Sequence, residues 1–199
     1  MNAPFTLRQL TGKPAVPAPL SQSVLVIVDA QNVYRNGPLQ LEGVEPALDE
    51  CARLLARARA LKVPVIHIQH DAGPGTPYDI RAEIGAIADK VAPAEGEPVV
   101  VKNYPNSFLN TDLDARLKAL GVKNLVVAGF MTHMCINSTG RGAFNLGYAV
   151  TVPANATATR PLAGPDGSTV PAAVLQAAAL AALGDLFAVV VPDVADIPD

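Results

Sequence analysis

The sequence predicts a single three-layer α/β/α domain built on a six-stranded parallel sheet, and three observations carry that reading. Apolar runs of strand length alternate with helix-period segments from residue 23 to residue 191. The run Val24-Leu25-Val26-Ile27-Val28 is continuously apolar instead of alternating, the pattern of a strand covered on both faces. Neither an internal repeat nor a linker rich enough to divide the chain interrupts its 199 residues, a length suited to one core. Right-handed crossovers then wrap one sheet with helices on both sides. Ligands of such sheets bind beyond the carboxyl ends of the strands.

Residues 1–20 hold Pro4, Pro14, Pro17 and Pro19 and no continuous apolar core, so they read as an extended arm of the kind that often lies on a neighbouring subunit. They resemble neither a signal peptide nor a membrane span. The first strand, 23–29, ends in Asp29. A helix over 44–61 follows, with Pro46 near its start and Leu48, Cys51, Leu55 and Ala58 on one face; Cys51 belongs to that apolar stripe and reads as core. The second strand, 63–69, tolerates Pro64 at its beginning and is followed by His70. After the loop 73–77 the pattern weakens, and a short helix over 80–91 is the reading. The third strand, 98–102, ends in Lys102 and gives way to a loop carrying Tyr104 and Phe108. Thr111 caps a helix that Gly121 closes. A fourth strand (124–130), a helix (134–146), a fifth strand (148–152), a Pro- and Gly-bearing loop (153–169), an alanine-rich helix (171–183) and a sixth strand (187–191) complete the chain.

Charge narrows the partners. Fifteen Lys and Arg against 18 Asp and Glu, a formal net charge of −3, leave no basic surplus for a nucleic-acid groove or a polybasic membrane patch. A small-molecule substrate is the expected partner. Cys51 and Cys135 are far apart and form neither a metal-spaced pair nor a disulfide framework, which fits a cytoplasmic protein.

Chemistry concentrates at one edge of the expected sheet. Asp29, Lys102 and Cys135 end or follow strands one, three and four, so the topology brings an acid, an amine and a thiol to one rim. Cys135 alone reads equally as a small core residue. Placed after the glycine turn at Gly129 and in the first turn of a helix, its thiolate is expected to gain from free backbone N–H groups and the helix dipole, with a lowered pKa. Asp29 can take the thiol proton, Lys102 can hold negative charge on both partners, and Cys135 can attack a carbonyl.

Three ordered motifs carry a family resemblance across nearly the whole chain from Val24 to Val191: Val28-Asp29-Ala30-Gln31-Asn32; Gly96-Glu97-Pro98-Val99-Val100-Val101-Lys102 with Ser107-Phe108; and Gly129-x-x-Thr132-x-x-Cys135 followed by Thr139-x-Arg141. In these the chain resembles the isochorismatase-like superfamily of cysteine hydrolases, in its amidase branch. The resemblance implies a Rossmann-like fold, a triad of Asp29, Lys102 and Cys135, and a non-proline cis peptide before Met131. It also implies an oxyanion hole from the N–H groups of Met131 and Cys135, a thioester intermediate, and assembly as a dimer or tetramer. The expected reaction is hydrolysis of an amide, carbamoyl or ureido C–N bond, with no cofactor.

Departures refine this. Nicotinamidases carry Asp-x-His-x-x-His after the second strand, whereas this chain reads His70-Asp71-Ala72-Gly73-Pro74-Gly75, so no metal site is expected. Isochorismatases that cleave a vinyl ether by acid catalysis lack the cysteine, and Cys135 favours C–N hydrolysis. Asn155-Ala156 replaces the family's Asp-Ala, which puts the salt links of that loop in question. Gln31, Tyr34, Tyr104, Phe108 and Phe130 are the candidate substrate contacts; His70 and His133 stand near the rim as loop histidines. A dinucleotide-binding oxidoreductase is excluded, because the first strand runs into Asp29-Ala30-Gln31-Asn32-Val33-Tyr34 and not into a Gly-x-Gly-x-x-Gly turn. A vinyl-ether hydrolase and a non-catalytic binding or redox-sensing module using Cys135 remain as alternatives.

Overall fold

The computed structural model describes residues 4–199. Strands β1 (Ser23–Val28), β2 (Val65–His70), β3 (Val99–Lys102), β4 (Asn124–Phe130), β5 (Ala149–Pro153) and β9 (Ala188–Val191) lie in the order β3-β2-β1-β4-β5-β9, and every pairing is parallel. A two-residue strand, β6 (Thr157–Ala158), adds a seventh member beside the end of β4. The strand order reverses between β1 and β4, which opens the crevice where doubly wound sheets bind ligands.

Continuous apolarity in β1 has the expected consequence. Leu25 and Ile27 face one core and Val24, Val26 and Val28 the other, all within 1% of full burial. Helix α2 (Val44–Ala60) covers the first face through Leu48, Cys51, Leu54 and Leu55. Helices α3 (Leu113–Leu120), α4 (Asn137–Asn145) and α5 (Ala172–Gly184) cover the second through Leu113, Leu117, Ala143 and Leu183.

Three expectations need correction. The arm contains one helical turn, α1 (Leu7–Leu10), capped by Thr6, and it docks on its own chain: Arg8 donates to Leu186 O at 2.9 Å and Leu7 N to Asp185 Oδ1 at 2.8 Å. Its residues 1–3 fall outside the described residues. The helix expected over 80–91 is instead two 3₁₀ turns, Glu83–Gly85 and Asp89–Val91, because Gly85 packs so closely on Asp79 that a Cβ would lie 2.2 Å from its carbonyl oxygen. The loop 153–169 carries β6 and half of a small antiparallel pair, β7 (Leu162–Ala163) with β8 (Thr169–Val170). In that loop Asn155 donates to Asp193 Oδ2 at 2.8 Å and accepts from Val194 N at 3.1 Å. An aspartate could not donate to Asp193, so the departure at Asn155 has its own local partner.

At the opposite end of the sheet from the crevice, Glu97 takes both arms of Arg59 at 2.8 Å, the Ala94 N–H at 2.9 Å and His67 Nε2 at 2.9 Å. The Arg59 hydrogen bond leads the causes that hold its carboxyl down at about 2, against an ordinary value of 4.5. A depressed folded-state pKa contributes stability above the unfolded value, and that contribution is lost as pH falls from about 4.5 to about 2. Glu97→Gln is therefore expected to cost about 1–3 kcal/mol at neutral pH. In urea titrations the deficit should shrink through that acid window; a deficit that stays constant with pH would contradict the assignment.

Candidate active site

Each member of the Asp, Lys and Cys set is delivered by the end of a strand. Asp29 follows β1 with a φ of 48°, a left-handed conformation that aspartate adopts more readily than most residues. Its N–H is tied to Ile68 O at 3.0 Å, and its side chain is wholly enclosed. Lys102 closes β3, in register with His70, and its side chain is equally enclosed. The chain leaves β4 through a cis peptide between Phe130 and Met131, as the family resemblance implied, and enters one π-helical turn, Thr132–Ile136, which carries Cys135 and runs straight into α4. Within it the N–H groups of Met134 and Ile136 both turn back on Met131 O, at 3.0 and 3.2 Å. The Met131 N–H has no hydrogen-bond partner among the described residues.

These three side chains meet. Lys102 Nζ lies 2.7 Å from Asp29 Oδ2 and 3.4 Å from Cys135 Sγ. The Lys–Asp approach is an ion pair without directed hydrogen-bond geometry, and both carboxylate oxygens keep acceptor capacity. Burial raises the Asp29 carboxyl above the ordinary range, with Lys102 opposing. For Cys135, 4% exposed, burial and then the Asp29 charge push the thiol up to about 12, against the opposing pull of Lys102. This is the opposite direction to the lowering expected from the helix terminus: the resting sulfur is held toward its protonated form, with the Asp29 carboxyl close by.

The motif residues that flank Asp29, Lys102 and Cys135 hold their elements in place. Ser107, in the loop after Lys102, donates from N at 3.1 Å to Thr139 Oγ1, and the two hydroxyls lie 2.8 Å apart. That link ties the loop after Lys102 to helix α4. Arg141 donates to Asn137 Oδ1 at 2.7 Å and stacks on Phe187, its guanidinium carbon 4.0 Å from the ring centre.

Of the substrate contacts expected from sequence, Tyr34 and Phe130 pack edge to face, their ring centres 5.8 Å apart. Tyr34 meets Tyr78 in the same way, with the hydroxyls 3.1 Å apart, and Tyr78 packs edge to face on His70 at 4.7 Å. Burial and the nearby Asp29 charge put the Tyr34 phenol well above its usual value. Gln31 is fully buried and its amide serves the protein: it accepts from His70 N at 2.9 Å and donates to His70 O at 3.0 Å and to Gly85 O at 2.7 Å. Phe108 stacks on Tyr148, ring centres 5.9 Å apart, because the Ser107–Thr139 link turns its loop onto the core. Tyr104 is 46% exposed and stacks on no other aromatic ring among the described residues.

Sequence reasoning missed Tyr78 and Arg160. Tyr78 lies in the stretch where no periodicity could be read. Arg160 follows β6, which pairs with Gly129 and Phe130 and so runs beside the turn that carries Cys135. Burial raises the Tyr78 phenol with the Arg160 charge opposing, burial and then that same charge lower His133, and the Arg160 Nε is enclosed without a partner. Thr159, just before it, lies 2.6 Å from His133 Nδ1 through its hydroxyl. A short parallel strand on that flank is the missing signal, and two residues of Thr-Ala are too few to show it.

The Isochorismatase domain model matches residues 23–192. The structure superposes on a crystal structure of an isochorismatase from Pseudomonas putida KT2440 with a TM-score of 0.92, at 41% identity, covering 96% of this chain and 97% of that one. The secreted isochorismatase effector Isc1 of Verticillium dahliae is 35% identical, with 94% of this chain and 96% of that protein aligned. A ureidoacrylate amidohydrolase, RutB of Stutzerimonas stutzeri, is 33% identical over 72% of this chain and 74% of its own length. With the domain match spanning most of its length and relatives this similar along it, the chain belongs to the isochorismatase family of hydrolases.

Proposed function

We propose that the protein is a cysteine amidohydrolase that cleaves a C–N bond of a small anionic amide, carbamoyl or ureido compound through Asp29, Lys102 and Cys135. The observation that carries this reading is the meeting of carboxylate, ammonium and thiol, 2.7 and 3.4 Å about one Lys102 nitrogen, at the reversal of strand order. Asp29 removes the Cys135 proton as sulfur attacks the carbonyl carbon, and Lys102 offsets the charge that this proton transfer would otherwise leave unbalanced. The oxyanion is met by the N–H groups of Met131 and Cys135. As the C–N bond breaks, Asp29 returns the proton to the departing nitrogen, leaving an acyl thioester. Water then attacks with Asp29 again as base, thiolate leaves, and the proton returns to sulfur. The reaction as written calls on no cofactor.

Tyr34 and Phe130, both fully buried, back the half-buried Tyr78 in one aromatic wall of the site. Gln31 acts on the frame of the site and not on substrate, since its amide is spent on His70 and Gly85. Phe108 is engaged by Tyr148 and Tyr104 is 46% exposed, so neither is assigned to this wall. Arg160 supports the anionic class: no acid pairs with it among the described residues, its Nε is enclosed, and it borders the nucleophile turn. A substrate carboxylate would supply the missing partner.

The test is product release from a panel holding maleamate, N-carbamoyl amino acids and ureidoacrylate beside neutral nicotinamide. Turnover of an anionic member is expected, and Arg160→Met should lower its kcat/KM by roughly 10²-fold while leaving neutral amides little changed. Equal losses on charged and neutral substrates would remove the anion role; no turnover of any C–N substrate would defeat the amidase reading.

Homo-oligomer formation, as dimer or tetramer, is part of the proposal. Val99 and Val101 support it, exposed by 38% and 44% on the sheet's edge strand. Both cysteines are free, which supports a cytoplasmic location, although the Verticillium relative is a secreted protein. No helix among the described residues is long and apolar enough to cross a membrane.

A further inference from the structure

The Lys102 ammonium faces three groups, the Asp29 carboxylate as an ion pair and the Cys135 sulfur and one imidazole as hydrogen-bond partners. Besides Asp29 and Cys135, His70 Nδ1 lies 3.0 Å from Nζ. His70 is held on both sides of its backbone by Gln31, and its ring is packed against Tyr78 at 4.7 Å. Burial and the Lys102 charge, opposed by Asp71, lower the imidazole to about 4, so it is neutral at physiological pH. A neutral imidazole that accepts at Nδ1 must carry its hydrogen on Nε2. That Nε2 makes no hydrogen bond among the described residues and is not enclosed.

We propose that His70 is a positioning residue for the nucleophile: its Nδ1 accepts a hydrogen bond from the Lys102 ammonium, fixing that nitrogen between Asp29 and Cys135, and its Nε2–H is left as a donor on the open side. The family resemblance gave this position no role, and sequence alone read it as a loop histidine. An acceptor is needed there because the ammonium is sealed from water, and an unsatisfied buried N–H is costly. An acid in this place would add a second negative charge beside the thiol and oppose its ionisation further. A neutral acceptor holds the lysine without that effect. The assignment rests on the amidase reading only for its kinetic meaning, not for the hydrogen bond itself.

The chain has three histidines, so two-bond ¹H–¹⁵N spectra of the full-length ¹⁵N-labelled protein, assigned with His70→Asn, can read each ring nitrogen. At neutral pH the His70 ring is expected with a bare Nδ1 and a protonated Nε2; an imidazolium or an Nδ1–H tautomer would overturn the proposal. The second measurement is the rate of Cys135 alkylation by iodoacetamide, mapped by mass to separate it from Cys51. His70→Leu should slow it by about tenfold or more. His70→Asn, whose Oδ1 can stand where Nδ1 stood, should recover most of the loss. A native rate in His70→Leu, or no recovery in a folded His70→Asn, counts against the positioning role. Should His70→Leu fail to fold, the native spectrum and the Asn variant still decide. Neither readout needs an amide, so a substrate panel without turnover would sink the amidase reading and leave these results standing.

Discussion

Cys135→Ala is expected to lower turnover by roughly 10⁴-fold or more, and Asp29→Asn by about 10²- to 10⁴-fold, with both variants folded. The two losses should not add, since thiol and base act on one proton. Because the resting thiol is held up at about 12, thiolate is scarce near neutral pH and must be made during attack. The carboxylate is therefore required from the first step. Asp29 works only when ionised, and burial raises its pKa, so the acid limb of kcat/KM should lie above the ordinary carboxylate range. Activity should fall as pH drops through that limb. Asp29→Asn should flatten it, which a stability defect would not do. The rival chemistries give other results. Acid-catalysed vinyl-ether cleavage would survive loss of the thiol, and a redox module would show stoichiometric oxidation of Cys135 with no turnover in the native protein.

The pattern of the strands was legible because the sheet is parallel and covered on both faces. Val24 to Val28 have no exposed side to interrupt their apolarity, and the same holds for 125–130. The cluster of side chains was legible for a related reason: in an alternating α/β chain every strand's carboxyl end reaches the same edge, so Asp29, Lys102 and Cys135 could be placed together without side-chain detail. What resisted was set by tertiary contacts. The thiol's environment is one example: local sequence argued from the helix terminus, whereas burial and a carboxylate brought from β1 prevail. Gln31 is another, since its partners at His70 and Gly85 come from distant loops. Phe108 is a third, an aromatic in the loop after Lys102 that is drawn into the core by a hydroxyl pair 32 residues apart in sequence. Arg160 needed β6, a strand too short to show a period.

Gly129→Ala is expected to cost about 3–5 kcal/mol of stability, combining left-handed backbone strain with overpacking. Gly129 sits at φ +116°, and a Cβ there would lie 2.0 Å from Val28 O. The clash is with backbone, so no rotamer change relieves it, and β4 would have to move away from β1 where Val28 and Gly129 are in register. These are the last paired residues before Asp29 on one strand, and the approach to Cys135 on the other. The absent side chain thus sets how closely Asp29 and Cys135 converge. Two measurements separate its effects. The midpoint of urea unfolding should fall sharply, and a loss below about 1 kcal/mol would show that the strands have room to spare. In the fraction that remains folded, kcat should fall well beyond any change in KM, because a spreading of β1 from β4 moves the carboxylate from the thiol before it alters the aromatic wall at Tyr34 and Phe130.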